Sequence, residues 1–190
     1  MPKLVFKYGT MNSSKTSNLL MLAHTYRSHN KKVLLLKPET DIRDGFDVIS
    51  SRIIPLVKAD IILSKTESDF SHVDTTNLYC ILVDEAQFLS EQNINGLRKL
   101  SLKVPVLCYG LRTDYRSVLF EGSKRLMEIA DTIEEIKSVC VICDKKAIIN
   151  AKFYTDGDTK TIIYDGDSSP DLGAEDKYQP LCWNCWRKHD

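Results

Sequence analysis

The sequence predicts an α/β fold: a parallel sheet flanked by helices, followed by a small C-terminal unit held by a metal. Two observations carry this prediction. Over the first two-thirds of the 190 residues, short apolar runs alternate with helix-like stretches, and continuous apolar strands separated by helices form parallel sheets covered on both faces. Beyond residue 137 the alternation stops, and two Cys-x₂-Cys pairs appear instead. We therefore predict two domains, residues 1–137 and 138–190.

The individual elements follow in order along the chain. We expect strands in KLVFKY, KKVLLLK, ADIIL, YCILVD and VPVLCYG, each a short apolar run. Helices are predicted from Ser14 to His29, in SEQNINGLRKLSL with Ser90 as its cap, and in LFEGSKRLMEIAD. In the second domain, AIINAKFYTDG and TKTIIYDG predict a hairpin.

Charge and hydropathy disfavour several classes of protein. Lys+Arg and Asp+Glu both number 26, so the formal net charge is zero; proteins that bind nucleic-acid backbones usually have a basic surface, although a neutral total leaves room for a local patch. No apolar run approaches the roughly 20 residues that cross a bilayer, and the N-terminus does not resemble a signal peptide. We expect a cytoplasmic protein with no membrane or nucleic-acid partner, whose cysteines are reduced.

The six cysteines are of two kinds. Cys80 and Cys108 lie in apolar runs and are expected to be core residues. The other four form two Cys-x₂-Cys pairs: Cys140, Cys143, Cys182 and Cys185. Four thiolates from two such pairs close a tetrahedral structural zinc site; a redox or disulfide pair is the alternative. Trp183 and Trp186 are expected to cover this site, and His189 is a spare ligand or, more simply, a solvated side chain.

A polar stretch, GTMNSSKT, connects the first predicted strand to the first helix. It is close to the pattern G-x-x-x-x-G-K-[ST], in which backbone N–H groups surround phosphate, the lysine reaches the β- and γ-phosphates and the hydroxyl binds Mg²⁺. Ser14 replaces the second glycine, which costs about 1–2 kcal/mol if its backbone is left-handed; an ordinary conformation is the other option. A polar turn that only caps a helix is the alternative reading. The predicted loop residues are Gly9, Thr10, Met11, Asn12, Ser13, Ser14, Lys15 and Thr16.

A second motif, YCILVDEAQF, places two carboxylates at the end of a buried strand. Neighbouring strand residues point opposite ways, so we expect Asp84 to reach the Mg²⁺ shell and Glu85 to act elsewhere, as a general base for a hydroxyl. A solvated acidic pair is the alternative. Because both motifs end strands of one parallel sheet, where ligands bind in open α/β folds, they favour a P-loop, RecA-like nucleotide-binding domain.

Taken together, these motifs resemble the type II, cytosolic-type thymidine kinases. The resemblance spans the chain: GTMNSSKT, DIR at 41–43, VDEAQF at 83–88, GLRTDYR at 110–116, both cysteine pairs and GAEDKY at 173–178. It implies transfer of the γ-phosphate of ATP to the 5′-hydroxyl of thymidine to give dTMP, a salvage step towards DNA synthesis, with catalytic Mg²⁺ and structural Zn²⁺. It also implies a homotetramer and feedback inhibition by dTTP.

The resemblance further assigns roles to residues. Glu85 is implied as the base that deprotonates the 5′-hydroxyl, while Lys15 and Mg²⁺ bound at Thr16 stabilise charge on the γ-phosphate. Further contacts to ATP and Mg²⁺ are implied for Asp41, Arg43, Asp84 and Gln87. The implied thymidine contacts are Met11, Phe88, Leu111, Phe120, Ser169, Pro170, Asp171, Leu172, Gly173 and Tyr178. The last six belong to a metal-anchored lasso loop that folds over the base.

The sequence departs from the family pattern at two places. Ser14 stands where a glycine is usual, and the lasso reads SSPDLGAEDKY over residues 168–178, without the paired glycines of the family. Two rival functions stay open: a kinase for another deoxynucleoside, and a zinc-ribbon P-loop ATPase that acts on nucleic acid.

Overall fold

The computed structural model describes residues 3–42, 45–51, 54, 56–156, 159–166 and 177–187. In these ranges the strands are β1 Leu4–Tyr8, β2 Lys32–Pro38, β3 Val48–Ile49, β4 Val57–Lys58, β5 Ile61–Leu63, β6 Leu78–Val83, β7 Val106–Gly110, β8 Thr132–Glu135, β9 Ile149–Asp156, β10 Thr159–Ile163 and β11 Tyr178–Leu181. The helices are α1 Lys15–Ser28, α2 Glu91–Leu100, α3 Glu121–Ile129 and α4 Trp183–Arg187, with a 3₁₀ turn at Ala86–Phe88.

The central sheet has the strand order β5-β2-β6-β7-β1-β8. Every neighbouring pair in it is parallel. The predicted P-loop/RecA-like α/β architecture, a parallel sheet flanked by helices, is therefore confirmed. Strand β1, which leads into the GTMNSSKT loop, is separated from β6, which leads into the Asp-Glu pair, by β7 alone. Both polar motifs consequently emerge at the same edge of the sheet.

The sheet is covered on both faces because its strands alternate between two hydrophobic clusters. Along β6, Ile81 and Val83 belong to one cluster, while Cys80 and Leu82 belong to the other. Helices α2 and α3 cover the first face and α1 covers the second, through these buried side chains: Ile94, Leu97, Leu126, Leu19, Leu20 and Ala23. Continuous apolar strands are what this two-sided burial requires.

The two cysteines predicted to be core residues are buried in these clusters. Cys80 is 2% exposed and Cys108 is 0% exposed. Burial raises the pKa of the Cys80 thiol to about 12 and also raises the pKa of Cys108. Both thiols are therefore protonated at neutral pH and pack as small apolar groups.

The helix predicted to start at Ser90 has the expected cap. The Ser90 hydroxyl accepts a hydrogen bond from the Asn93 N–H at 3.2 Å, and Asn93 Oδ1 accepts from the Ser90 N–H at 2.9 Å. This reciprocal pair is a capping box with asparagine in the third position. In the described ranges, no helix is both long enough and apolar enough to span a bilayer.

A second, antiparallel sheet has the order β10-β9-β11 and confirms the predicted hairpin. Its core is a third hydrophobic cluster that includes Ile149, Ala151, Leu181 and Trp186 together with the cysteines of the two pairs. This sheet begins beyond the domain boundary predicted at residue 137, and the boundary itself stays a prediction.

Candidate active site

The GTMNSSKT loop joins the end of β1 to the start of α1. Asn12 and Ser14 both have φ of 61°, in the left-handed region. Ser14 thus adopts the conformation that would suit a glycine, rather than the ordinary one, and its side chain is exposed and makes no cap hydrogen bond. A serine held there stores about 1–2 kcal/mol of backbone strain.

Gly9 opens this loop, and the space around it explains why a glycine is needed. A Cβ atom at this position would lie 2.4 Å from Ser13 Oγ and 2.5 Å from the Ile136 carbonyl oxygen. The second contact is with backbone, so it cannot be relieved by a side-chain rotation. Any larger residue at position 9 would displace the loop from the end of β8 and the segment that follows it.

The side chain of Lys15 lies inside the loop. It is 9% exposed, and Nζ donates to the Thr10 carbonyl oxygen at 2.7 Å and to Ser13 Oγ at 3.5 Å. The ammonium group is therefore held against the loop backbone, at the place where a P-loop lysine meets phosphate oxygens.

The two motifs at this sheet edge are in direct contact. Thr16 Oγ1 donates to Asp84 Oδ1 at 3.3 Å, which brings a hydroxyl from α1 together with a carboxylate that follows β6. Asp84 is 5% exposed. A buried hydroxyl and carboxylate side by side supply the hard oxygen ligands that Mg²⁺ takes in proteins.

Glu85 follows Asp84 in a left-handed conformation, with φ of 48°, at the start of the 3₁₀ turn. Its carboxylate is buried and accepts a hydrogen bond from Gln87 Nε2. Strand β6 ends at Val83, so the alternation of strand side chains does not separate the two acidic residues, as the sequence pattern had suggested. The backbone turn at Glu85 does so instead, and the carboxylates have different partners.

The residues predicted to wall a base pocket lie beside this turn. The rings of Phe88 and Phe120 pack edge to face with their centroids 5.7 Å apart. The N–H of Leu111 donates to Gln87 Oε1 at 3.0 Å, so Leu111 lies next to the same turn. All three side chains are half-buried, and the structure brings them together with Glu85.

Gly122, at the start of α3, allows this close packing. A Cβ atom there would lie 2.4 Å from the Ala86 carbonyl oxygen. The helix that carries Phe120 at its N-terminus therefore sits directly on the backbone of the 3₁₀ turn. A larger residue at position 122 would push Phe120 away from Phe88.

Asp41 has a partner that the sequence did not suggest. It is 7% exposed and pairs with Lys37, whose Nζ lies 3.3 Å from Asp41 Oδ2. Lys37 is fully buried and also donates to the carbonyl oxygens of Gly45 and Val48. The one signal was a charged residue just before Pro38 in an otherwise apolar run. The predicted site residue Arg43 lies outside the described residues.

The remaining predicted substrate contacts are divided. Met11 lies in the loop, and its N–H donates to Asn150 Oδ1 at 2.7 Å. Tyr178 is half-buried at the start of β11, with Lys152 Nζ 5.9 Å from its ring centroid. The five lasso residues predicted to contact the base lie outside the described residues: Ser169, Pro170, Asp171, Leu172 and Gly173.

The four paired cysteines come together in the second sheet's core. The sulfur atoms of Cys140, Cys143, Cys182 and Cys185 all lie within 4.8 Å of one another. Those of Cys143 and Cys182 are 3.5 Å apart, close to the roughly 3.8 Å edge of a tetrahedron with metal–sulfur bonds of about 2.3 Å, whereas a disulfide needs about 2.05 Å. The cluster therefore fits a metal ion.

The backbone around the cluster favours thiolates. Burial alone would raise the pKa of Cys140, but the N–H groups of Cys182, Ile142 and Cys143 donate to its sulfur and lower the pKa to about 6. The Cys185 N–H likewise donates to Cys182 Sγ at 3.4 Å. Trp186 is 6% exposed within this core, whereas Trp183 is 45% exposed. The covering role therefore falls mainly to Trp186, and His189 lies outside the described residues.

Comparison with known proteins decides the family. The family model described as thymidine kinase matches residues 2–186. The chain belongs to the thymidine kinase family. Curated thymidine kinases from Streptococcus pyogenes serotype M3 and Streptococcus agalactiae serotype Ia are each 39% identical over 193 residues, covering 100% of this chain and 97% of the relative. The predicted type II family is confirmed.

Similarity to solved structures is weaker. A Pif1 helicase from Candida albicans matches with a TM-score of 0.41 and 10% identity, covering 72% of this chain and 36% of that chain. A likeness at this level carries no argument about the activity of this thymidine kinase family member.

Sequence reasoning missed the residues that connect the second sheet to the site. Asn150, on β9, contacts the loop through Met11, and Ser138 contacts it through Thr10. Gln87 was predicted as an ATP or Mg²⁺ contact, but in the structure it bonds to Glu85. An asparagine among the apolar residues of AIINAKFY was the only available signal for Asn150.

Proposed function

We propose that this protein transfers the γ-phosphate of ATP to the 5′-hydroxyl of thymidine, giving dTMP and ADP. The observation that carries the proposal is the contact between Thr16 and Asp84, with Glu85 next to it, in a chain of the thymidine kinase family. It places a phosphate-binding loop and a buried carboxylate at the same edge of the sheet. Related chains that are 39% identical are thymidine kinases.

The loop would hold the triphosphate of ATP. Residues 9–16 offer backbone N–H groups and the N-terminus of α1, both of which favour phosphate. Lys15 would reach the β- and γ-phosphates from its position against the loop, while Thr16 and Asp84 would hold Mg²⁺. When bound, Mg²⁺ neutralises charge that develops on the phosphate oxygens. Asp41 and Arg43 are proposed as further contacts on the nucleotide side.

Glu85 would act as the general base. Its carboxylate takes the proton of the 5′-hydroxyl as the 5′-oxygen bonds to the γ-phosphorus and the bond from that phosphorus to the β–γ bridging oxygen breaks. The electron pair of the broken bond leaves on ADP. Gln87 orients the carboxylate by donating to Oε2. Such positioning is how phosphoryl-transfer enzymes obtain most of their rate.

Thymidine would bind between the 3₁₀ turn and the second domain. Phe88, Leu111 and Phe120 are proposed to form the apolar wall beside Glu85, supported by the edge-to-face ring pair. Met11, Tyr178 and residues 169–173 are proposed as further contacts, the last as part of a lasso loop over the base. Covering the substrate would exclude water and limit hydrolysis of ATP.

The four paired cysteines would bind Zn²⁺, and with all four positions filled by protein the metal would be structural. It would anchor the second domain, residues 138–190, against the nucleotide-binding domain, residues 1–137. A cytoplasmic location, a homotetramer and inhibition by dTTP belong to the same proposal and are supported by family membership alone.

The test is transfer of labelled γ-phosphate from ATP to a panel of deoxynucleosides. We expect labelled dTMP, with less product from deoxyuridine and deoxycytidine. Preferential labelling of another nucleoside would favour the kinase rival with a different substrate. ATP hydrolysis that is stimulated by DNA, without labelled nucleotide from any nucleoside, would instead favour the zinc-ribbon ATPase.

A further inference from the structure

Asn150 connects the two halves of the molecule at the loop proposed to bind ATP. Its side chain is 2% exposed on β9, between Ile149 and Ala151, which both belong to the cysteine-containing core. Because neighbouring strand residues point opposite ways, the Asn150 amide faces away from that core. There Oδ1 accepts from the Met11 N–H at 2.7 Å and Nδ2 donates to the Thr113 carbonyl oxygen at 3.1 Å.

Both partners of the Asn150 amide are backbone groups, so its orientation is determined by chemistry. Only the amide oxygen can accept from an N–H, and only the amide nitrogen can donate to a carbonyl. Met11 lies in the middle of the loop, and its N–H is occupied by Asn150. The loop also contains two non-glycine residues in the left-handed region, Asn12 and Ser14. Backbone strain of this kind persists only where surrounding structure holds it.

The position of Asn150 depends on the cysteine cluster. On β9, Ile149 pairs with Leu181 of β11, the residue just before Cys182, and the Ile148 N–H donates to the Leu181 carbonyl oxygen at 2.9 Å. Asn150 itself pairs with Pro180, the next residue back along β11. A metal held by Cys182 and its partners therefore fixes the strand that fixes Asn150.

A second loop contact has the same origin. Thr10 and Ser138 share a hydrogen bond between their hydroxyl groups, and Ser138 lies two residues before Cys140. The Ser138 carbonyl oxygen accepts from the Ala147 N–H at 2.9 Å, which closes the turn that carries Cys140 and Cys143. Adjacent residues of the loop, Thr10 and Met11, are thus held by two segments that each adjoin a cysteine pair.

We propose that Asn150 is a positioning residue that couples the metal site to the loop, so that nucleotide affinity depends on metal occupancy. The inference rests on the proposed function, because it takes the loop to be the ATP site. Coupling of binding equilibria is reciprocal. If bound metal strengthens ATP binding, bound ATP must strengthen metal binding by the same factor, and both effects must pass through Asn150.

The experiment measures that coupling factor in both directions on the full chain. Zn²⁺ loss to a chelator is followed with a metal-indicator dye, with and without Mg²⁺–ATP, and ATP affinity is measured by calorimetry on metal-loaded and metal-stripped protein. For the unmodified chain we expect each effect to be about fivefold or more, within the usual range of coupling between sites. In Asn150→Ala, the loaded protein should keep its Zn²⁺, but both factors should fall close to one.

Lys146→Ala is the matched control. Lys146 also joins the two halves, through an exposed ion pair with Glu135 at 2.8 Å that does not involve the loop. This variant should keep the coupling of the unmodified chain. Loss of coupling in Lys146→Ala as well would overturn the assignment to Asn150.

The remaining outcomes separate this inference from the proposed function. If the metal-loaded, unmodified chain does not bind ATP, the proposed function fails and the inference fails with it. If that chain binds ATP but ATP leaves the rate of Zn²⁺ loss unchanged, only the coupling is overturned, a result that does not require any variant to fold. A change in Asn150→Ala confined to the KM for thymidine would also overturn it.

Discussion

Gln87 donates a hydrogen bond from Nε2 to Oε2 of Glu85, and its own Oε1 accepts from the Leu111 N–H at 3.0 Å. The amide is 2% exposed, and the Leu111 N–H determines which of its ends faces the carboxylate. Gly110 makes room for it, because a Cβ atom there would lie 2.7 Å from Gln87 Oε1. Gln87 therefore fixes the orientation of the proposed base.

Replacing Gln87 with methionine keeps the size of the side chain but removes both hydrogen bonds. We expect kcat for thymidine phosphorylation to fall about 10²-fold, the cost of a base displaced by about 1 Å, with little change in either KM. Ser123→Ala is the control, since it removes a donor to the Leu111 carbonyl oxygen without touching Glu85. Equal losses of kcat in both variants would show a general structural effect instead.

The left-handed serine of the loop predicts a gain in stability on replacement by glycine. Ser14→Gly should relieve strain of about 1–2 kcal/mol, less about 0.4–1 kcal/mol for the greater freedom of the unfolded chain. At roughly 2–4 °C per kcal/mol for a chain of this size, Tm should rise measurably in thermal unfolding. Asn12→Gly, at the same φ of 61°, should gain less because asparagine tolerates this region better. A lower Tm for Ser14→Gly would contradict the strain.

Removing one cysteine of the cluster should release the metal. In Cys182→Ser, elemental analysis should find less than one zinc per chain, and the KM for thymidine should rise as the second domain loosens. Cys80→Ala is the matched control, because this buried thiol lies in the central sheet and its loss should leave the zinc content unchanged. Absence of zinc from the purified, unmodified chain would refute the structural-metal proposal.

The pH dependence of stability should report on Asp131. The guanidinium of Arg98 and the Leu4 N–H lower the pKa of this carboxyl, so its folded pKa lies below the unfolded value of about 3.9. The stabilisation is therefore present above that unfolded value and is lost as pH falls through the folded pKa. Asp131→Asn should be less stable than the unmodified chain in urea at pH 7, and the two should converge at acid pH. A constant difference across this range would exclude the ionised carboxylate as the cause.

Most of the fold was predictable because its signals are local. Apolar runs gave the strands of the central sheet, Ser90 gave a helix start, and the spacing of the cysteine pairs indicated a metal cluster whose sulfur atoms do converge. The roles of Glu85 and of the loop came from motifs together with a family resemblance, and they stay predictions about function.

The contacts that complete the site were not predictable, because they join residues far apart in the sequence. Asn150 and Met11 are separated by 139 positions, and their hydrogen bond exists only once two sheets pack together. Likewise, nothing in the sequence indicates that Lys37 is buried against Asp41, or that Gln87 faces Glu85 rather than a nucleotide. Polar side chains at such positions become interpretable only when the surrounding backbone groups are known.

The most direct test of the account measures single-turnover transfer of labelled γ-phosphate from ATP to thymidine, in the unmodified chain and in Glu85→Gln, alongside the Kd for ATP. We predict labelled dTMP from the unmodified chain and a rate lower by about 10²–10⁴-fold in the variant, the range for loss of a general base, with the Kd for ATP nearly unchanged. A variant that transfers phosphate at the unmodified rate, or an unmodified chain that makes no dTMP, would contradict the account.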